Sequence, residues 1–297
     1  MYVITSLVFV LLLSSLQLSA QNQADPTNFE LNTVLMESTF KIEGRNALGQ
    51  PTLGTAFIMG RPYVNPPADQ PRQSGFVLIT AAHVLEEMQG DTAMLHLRRK
   101  VDADTWIRVP HPVQIRSNGQ PLWKKHPAAD IAVMYVPLPK DDSRPLLSTD
   151  VLADDKVLTD FEIHPGDDLE CLGYPFGQEA NDAGFPVLRS GKIASYPLLP
   201  TSKTKTFLFD FRVFRGNSGG PVYLVESNRS YRSGVKLGQT IHIIMGLVSE
   251  ERSITEQISG LYSQELRQFP LGLAVVVHAS LIKEAIGFLP PPDTLPH

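Results

Sequence analysis

The stretch Gly216-Asn217-Ser218-Gly219-Gly220-Pro221 places a serine among glycines in the second half of a 297-residue chain. Glycines let the backbone turn tightly and bring its N–H groups close to whatever lies over the hydroxyl. A serine hydroxyl is a weak nucleophile. It needs a neighbouring base, usually histidine, and that histidine needs an orienting carboxylate. The stretch therefore predicts a nucleophilic serine if a histidine and a carboxylate occur elsewhere in suitable contexts.

Both partners occur, and they occur in a defined order. His83 ends an apolar run that begins at Phe76, and Asp130 directly precedes another apolar run, 131–136. Alone, the serine would be explained as a polar turn, the histidine as a structural residue and the aspartate as a strand-end cap. A carboxylate at the start of a buried strand is costly unless it is paired, however. The order His, Asp, Ser also separates one class of serine hydrolases from two others.

The three motifs, in this order and with these flanks, resemble the trypsin-like serine peptidases over about residues 38–288. The resemblance implies an all-β fold of two six-stranded antiparallel Greek-key β-barrels with a C-terminal helix. It implies a serine endopeptidase that hydrolyses polypeptide substrates through His83, Asp130 and Ser218 and an acyl-enzyme intermediate. Asn217 before the serine is similar to the bacterial HtrA-like branch. The segment after Pro290 is too short for the PDZ domain that many HtrA-type proteases carry.

The same resemblance assigns further residues around the nucleophile. The backbone N–H groups of Gly216 and Ser218 are expected to form the oxyanion hole. Ser249, in Gly246-Leu247-Val248-Ser249, resembles the serine that hydrogen-bonds the catalytic aspartate. Residues 249–251 are expected to pair with the substrate backbone. The turn 173–177, Gly-Tyr-Pro-Phe-Gly, resembles a turn of the HtrA-like branch.

Substrate preference is expected to depend on a pocket for the residue before the scissile bond, P1. The base of this pocket should lie near Arg212 and Val213, and Gly272 and Ala274 belong to a stretch that resembles its far wall. Val213 and Ala274, with no aspartate at the base, predict small or medium apolar P1 residues. An inward-pointing Arg212 would favour acidic residues instead, and glutamates 250 and 251 facing the cleft would favour basic ones.

The first 20 residues are expected to be a secretory signal peptide. The run from Val3 to Leu18 is almost wholly apolar, and small residues precede a cleavage site predicted after Ala20. The absence of Lys and Arg at the start leaves an uncleaved anchor as the alternative, although the run is shorter than the ~20 residues that a spanning helix needs. We expect a secreted or periplasmic protein without stable membrane association after cleavage. Cys171 is the only cysteine, so no intramolecular disulfide forms, which suits a bacterial exported protein.

The sequence predicts one peptidase domain with flanking segments. A polar leader, 21–37, is a candidate pro-segment. The peptidase domain then consists of a first barrel (about 38–140), a linker (141–165), a second barrel (about 166–277) and a C-terminal helix (278–288), and a tail (289–297) follows.

Composition excludes several other functions. The net charge of −5 and the pI near 5.9 show no basic footprint for a nucleic-acid partner. No spacing typical of metal ligands or nucleotide loops is present, so no cofactor and no metal are expected. Two alternatives to the endopeptidase remain: a trypsin-fold binding protein that has lost turnover, and an esterase or acyl-transfer enzyme with the same triad. The intact triad and glycines favour the endopeptidase.

Overall fold

The computed structural model describes residues 30–64, 74–139, 142, 144–227, 229–231, 234–235, 240–259 and 264–294. The predicted signal peptide and its cleavage site, most of the polar leader and the last three residues of the tail lie outside this part of the chain. The described residues from Leu31 onward belong to one compact unit.

The first half of this unit is an antiparallel β-sheet. Seven strands are hydrogen-bonded in the order β5-β4-β1-β2-β3-β9-β8, and β6 and β7 form a separate small hairpin. The bounds are β1 Thr39–Arg45, β2 Pro51–Pro62, β3 Ser74–Thr80, β4 Gln89–Lys100, β5 Trp106–Gln114, β6 Arg116–Ser117, β7 Gln120–Pro121, β8 Lys124–Lys125 and β9 Ala132–Tyr135.

The second half contains a closed six-stranded antiparallel barrel. Its strands follow the order β10-β11-β12-β17-β16-β13, and β14 and β15 pair with each other outside it. The bounds are β10 Asp168–Gly173, β11 Val187–Ile193, β12 Thr206–Asp210, β13 Pro221–Ser227, β14 Ser230–Tyr231, β15 Gly234–Val235, β16 Thr240–Ser259 and β17 Gln264–His278.

The predicted all-β class with a C-terminal helix is confirmed. The first sheet differs from the expected six-stranded barrel in two respects. The two-residue strand β8 adds a seventh strand by pairing Lys125 with Ala132, and among the described residues the end strands β5 and β8 do not pair with each other. Cys171 lies in β10 and is buried. Burial raises the pKa of its thiol to about 12, so the group stays protonated and behaves as a small apolar side chain.

Four α-helices accompany the sheets in the part of the chain that the structure describes. They are α1 Leu31–Ser38, α2 Ala82–Glu87, α3 Asp155–Asp160 and α4 Ala279–Gly287. Helix α4 is the C-terminal helix predicted over 278–288, and it buries Leu281, Ile282, Ala285 and Ile286. This spacing forms one apolar face of a 3.6-residue period. The tail beyond α4 is also packed, because the side chain of Arg61 donates to the carbonyls of Leu289 and Pro290.

Helix α1 occupies the end of the segment predicted to be a polar leader. Its residues Leu31, Val34 and Leu35 are buried. They recur at intervals of three and four, so one side of a short helix is apolar and packs on the sheet. The other predicted boundaries stay predictions; the stretch between β9 and β10, expected as a linker, contains helix α3.

Strand pairing explains how distant motifs come together. Strand β3 pairs antiparallel with β9 so that Thr80 lies opposite Ala132. His83 follows the end of β3 and Asp130 precedes the start of β9, so the antiparallel pairing places both residues at the same edge. In the barrel, Pro221 of β13 lies opposite Leu247 of β16. This pairing brings the residues before β13 next to the residues after Leu247.

Strands β16 and β17 continue well beyond the barrel as a two-stranded ribbon. We define the ribbon as residues 252–259 of β16 and 264–271 of β17, within which residues 253–259 pair with residues 264–270. Its residues from 252 to 257 and from 266 to 271 are exposed. Sequence patterns did not indicate this ribbon.

Candidate active site

A histidine and an aspartate are in direct contact where the two halves of the molecule meet. The Nδ1 atom of His83 lies 2.7 Å from Oδ2 of Asp130, and the backbone N–H of His83 donates to Oδ1 at 2.9 Å. Two bonds to one carboxylate fix the ring and require the proton to reside on Nδ1 when the ring is neutral. Nε2 is then the atom with a free lone pair.

Ser249 completes the surroundings of this carboxylate, as the resemblance implied. Its hydroxyl donates to Oδ2 of Asp130 at 2.6 Å. Burial alone would raise the pKa of Asp130, but its hydrogen bonds to His83 and Ser249 and the charge of His83 outweigh burial and lower the pKa to about 2. Asp130 is therefore ionised at neutral pH although only 26% of its side chain is exposed.

The electrostatics of His83 are set by several carboxylates. Burial would lower its pKa, but the hydrogen bond and charge of Asp130, followed by the charges of Glu87 and Glu250, raise it above the ordinary value of 6.5. The protonated ring is thus stabilised by its surroundings. A ring with this property accepts a proton readily in the course of a reaction.

Ser218 lies beside this pair, on the opposite side of the junction. Its hydroxyl donates to the backbone carbonyl of Ser249 at 3.0 Å. In the described part of the chain, no hydrogen bond joins this hydroxyl to His83. The hydroxyl must therefore leave the Ser249 carbonyl before it can give its proton to Nε2.

The loop around Ser218 presents two backbone donors, which are those predicted for the oxyanion hole. Within the loop, the N–H groups of Asn217, Gly219 and Gly220 donate to backbone carbonyls of Phe214, Val248 and Asn217. Among the described residues, the N–H groups of Gly216 and Ser218 have no backbone acceptor. Gly216 has φ +98°, and a Cβ there would lie 2.2 Å from the carbonyl oxygen of Tyr174, so this position requires glycine.

Contacts that the sequence analysis missed hold this loop in place. Thr55 donates from its backbone to the Ser218 carbonyl at 2.9 Å and from its hydroxyl to the Gly216 carbonyl at 2.6 Å. The Arg215 carbonyl accepts from the N–H of Phe176 at 2.7 Å. Because C=O and N–H point in opposite directions across a trans peptide, this bond turns the Gly216 N–H away from Phe176. The Gly173–Gly177 turn, which the sequence did single out, therefore orients the Gly216 N–H.

A buried arginine anchors that turn in the fold. The guanidinium of Arg98 donates to the Tyr174 hydroxyl at 3.0 Å, and also to the carbonyls of Gly184 and Thr39. Burial raises the pKa of Tyr174 to about 12, so its hydroxyl stays neutral. The sequence carried no signal for this network, because its members are separated by up to 135 positions along the chain.

The residues predicted for the P1 pocket lie along two neighbouring segments. Val213 and Ala274 are both buried. The N–H of Phe211 donates to the carbonyl of Gly272, which joins the segment before Val213 to strand β17. The side chain of Arg212 is exposed, and its guanidinium lies 5.3 Å from the centre of the Phe214 ring.

Glu251 introduces a charge next to the same wall. It lies directly opposite Ala274 in the ladder, and paired residues share one face of a sheet. The Oε1 atom of Glu251 is buried and has no hydrogen-bond partner among the described residues. No group of three or more His, Cys, Asp or Glu side chains in the described part of the chain has a metal-binding arrangement.

Comparison with known families assigns this arrangement. Residues 54–229, more than half of the chain, match the family described as trypsin-like peptidase domain. The chain belongs to this family. It is therefore a trypsin-like serine endopeptidase, and its substrates are polypeptides. The matched range contains His83, Asp130 and Ser218, and it ends before the ribbon.

Three solved structures of proteases are similar to this chain. The active form of the Rv3671c protease from M. tuberculosis is 18% identical, with a TM-score of 0.47 and coverage of 92% of this chain and 89% of that chain. The protease Anisep from Arthrobacter nicotinovorans is 12% identical, with a TM-score of 0.45 and coverage of 84% and 93%. The thermostable serine protease AL20 from an extremophilic microorganism is also 12% identical, with a TM-score of 0.43 and coverage of 85% and 96%. No curated protein matches the chain.

Proposed function

We propose that this peptidase is an exported endopeptidase whose catalytic triad consists of His83, Asp130 and Ser218. The observation that supports this most is the 2.7 Å contact between His83 Nδ1 and Asp130 Oδ2, with Ser218 on the adjoining loop. The arrangement leaves Nε2 free to act as a base and keeps Asp130 ionised. The backbone N–H groups of Gly216 and Ser218 supply the oxyanion hole.

In the first step, the N–H of the P1 residue donates a hydrogen bond to the Ser249 carbonyl in place of the Ser218 hydroxyl. The hydroxyl is then able to donate to Nε2 of His83. Ser218 Oγ attacks the scissile carbonyl carbon while its proton passes to Nε2. The carbonyl oxygen becomes an oxyanion that accepts from the N–H groups of Gly216 and Ser218. Asp130 stabilises the imidazolium by its charge.

In the second step, the tetrahedral intermediate collapses. The C–N bond breaks, and the leaving amine takes the proton from Nε2, so Ser218 is left as an acyl ester. A water molecule then attacks the ester, giving its proton to Nε2, and the Ser218 oxygen leaves and recovers that proton. The cycle releases an acid and an amine and restores the enzyme.

Labelling with a fluorophosphonate tests the assignment of the nucleophile. The purified chain without residues 1–20 is expected to become labelled at Ser218 alone, as located by mass spectrometry of the digested protein. Prior incubation with a peptide aldehyde should reduce the labelling. Label on another serine, together with normal peptide hydrolysis, would contradict the assignment.

For specificity, we predict small or medium apolar P1 residues. Val213 and Ala274 offer a modest apolar surface, and the side chain of Arg212 is exposed over Phe214. A missing methylene in such a pocket changes rates by only about 10- to 200-fold, so selectivity among apolar residues should be loose. Cleavage of a peptide library scanned at P1 measures the preference.

Two variants give this specificity test its controls. If cleavage occurs only after acidic P1 residues and Arg212→Ala abolishes it, Arg212 is the specificity residue. Preference for Lys or Arg that is lost in Glu251→Gln would assign P1 recognition to the buried carboxylate oxygen of Glu251. Apolar preference that is unchanged in both variants is the expected result.

The export proposal rests on the sequence of residues 1–20. Among the described residues, no helix is long and apolar enough to cross a membrane. N-terminal sequencing of material secreted by an expressing bacterium is expected to begin at or near Gln21. Recovery of the chain with Met1 intact in a membrane fraction would support the anchor instead.

A further inference from the structure

The ribbon extends the substrate-binding strand. Strand β16 runs without interruption from Ser249, at the active site, to Ser259. On one side it pairs with β17 from Glu250 to Ser259, with a register shift between Arg252 and Ser253, whereas its pairing with β13 ends at Leu247. In the described part of the chain, β16 therefore has an open edge from Ser249 outward, and this edge is continuous with the segment 249–251 that is expected to bind substrate.

Two observations show which backbone groups face the open edge. The Ser249 carbonyl accepts from Ser218, so it points away from β17. Further along, Ser253 lies opposite Pro270, which has no N–H to donate. The two residues therefore form a non-hydrogen-bonded pair, in which the N–H and C=O groups of Ser253 point away from β17. The ladder shifts register between residues 248 and 250 and between 252 and 253, so Ser249 and Ser253 serve as separate reference points. Since the direction alternates with each residue of an extended strand, Glu251 has the direction of Ser249, Thr255 has the direction of Ser253, and the backbone groups of all three residues 251, 253 and 255 point to the open edge.

The geometry of attack sets the register of a bound chain. Ser218 Oγ lies 3.0 Å from the Ser249 carbonyl, so the residue whose carbonyl is attacked, P1, places its N–H beside that carbonyl. An antiparallel substrate then pairs P3 with Glu251, P5 with Ser253 and P7 with Thr255. The residues P4 to P8 would lie along about 17 Å of the ribbon at about 3.4 Å per residue.

The side chains of the ribbon also suit an extended polypeptide. Ile254 and Phe269 lie opposite each other and share one face, and they are 45% and 39% exposed. In the register above, the P6 side chain lies on this same face, next to Ile254. An apolar P6 residue would cover the exposed patch, while the residues on either side bind through their backbones.

We propose that the ribbon is an extended substrate-binding surface, on which an unfolded polypeptide adds as a further β-strand from P4 to about P8, with an apolar side chain at P6. This inference rests on the proposed function, because the register is counted from Ser218. It makes the enzyme one that prefers long, locally unfolded chains over short peptides.

Binding to the Ser218→Ala variant tests the ribbon without requiring catalysis. Fluorescence anisotropy measures the Kd of two labelled peptides. Both contain P4–P4′, and one of them is extended to P8 with Leu at P6. The ratio of the two Kd values gives the contribution of the ribbon to binding. The extended peptide is expected to bind about tenfold more tightly, which two or more added backbone hydrogen bonds and one buried side chain readily supply. Serine at P6 should remove part of this gain.

Backbone methylation of the peptide separates edge pairing from unspecific adhesion. N-methylation at P7 removes an N–H that faces Thr255, and we expect it to abolish most of the gain. N-methylation at P6 alters an N–H that points away from the ribbon and should be tolerated. Equal effects at both positions would contradict pairing at this edge.

A matched pair of protein variants completes the test. Thr255 and Gln268 lie opposite each other, and their N–H groups face the two opposite edges of the ribbon. Thr255→Pro should remove the gain for the extended peptide, whereas Gln268→Pro should preserve it, and both should bind the short peptide equally. With Ser218 restored, kcat/KM should follow the same pattern.

The possible results are distinguishable. If the short peptide is neither cleaved nor able to protect Ser218 from labelling, the proposed function fails, while the binding measurements still decide about the ribbon. If the short peptide is cleaved and the extended one binds no better, the ribbon proposal is wrong. Sedimentation as a dimer that Thr255→Pro dissociates, without any gain for the extended peptide, would assign the edge to a second copy of the chain and overturn the proposal.

Discussion

Ser218→Ala is expected to lower kcat for peptide hydrolysis by about 10⁵- to 10⁶-fold, because the variant loses the atom that attacks the carbonyl. A residual rate above that of water should remain, since the oxyanion donors at Gly216 and Ser218 are backbone groups and survive the substitution. The measurement is single-turnover hydrolysis of a fluorogenic peptide.

Two controls accompany this variant. Ser227→Ala removes an exposed serine at the far end of strand β13 and should retain full activity and labelling. Thermal unfolding of Ser218→Ala should differ little from that of the wild type, because the hydroxyl makes one hydrogen bond, to the Ser249 carbonyl. Activity within tenfold of the wild type would show that Ser218 is not the nucleophile.

Asp130→Asn is expected to lower kcat by about 10⁴-fold. An amide can donate to Nδ1 of His83, and the ring then carries its proton on Nε2, where it cannot accept one from Ser218. The substitution also leaves the ring without the charge that stabilises the imidazolium. Hydrolysis of the same peptide over a range of pH measures both effects.

The pH dependence follows from the direction of the shift in His83. The neutral ring is the active base, and its surroundings raise its pKa above 6.5, so the acidic limb of kcat/KM should lie above pH 6.5 in the wild type. Without the charge of Asp130, burial dominates and lowers the pKa, so the limb of the residual activity should move to lower pH. Glu87→Gln removes a weaker charge and should move the limb slightly in the same direction while preserving kcat. A limb that stays in place in Asp130→Asn would mean that another group controls the profile.

Short-range sequence patterns were sufficient to propose the residues of the site. The apolar run that ends in His83, the apolar run that follows Asp130 and the glycines around Ser218 each fit a strand or a tight turn within a few residues. The same holds for α4, whose apolar spacing is local. Local patterns do not indicate helix α1, because its apolar residues are few and the segment is short.

The tertiary structure decided which of these segments lie next to each other. Antiparallel pairing of β3 with β9 places His83 against Asp130, and pairing of β13 with β16 places Ser218 against Ser249. The oxyanion loop depends on Thr55, which is 161 positions away from Gly216. No local pattern specifies such a contact, because it arises only when two separately formed sheets meet.

The ribbon illustrates the same division. Polar and apolar residues alternate too irregularly in 252–259 and 264–271 to indicate strands. Pro270 and Gly272 suggest a loop. Pairing across the hairpin nevertheless extends both strands, since each backbone finds its hydrogen-bond partners in the other. The sequence by itself therefore determined which residues we propose for the chemistry, and long-range backbone pairing determined where they lie and which strand edge is left open.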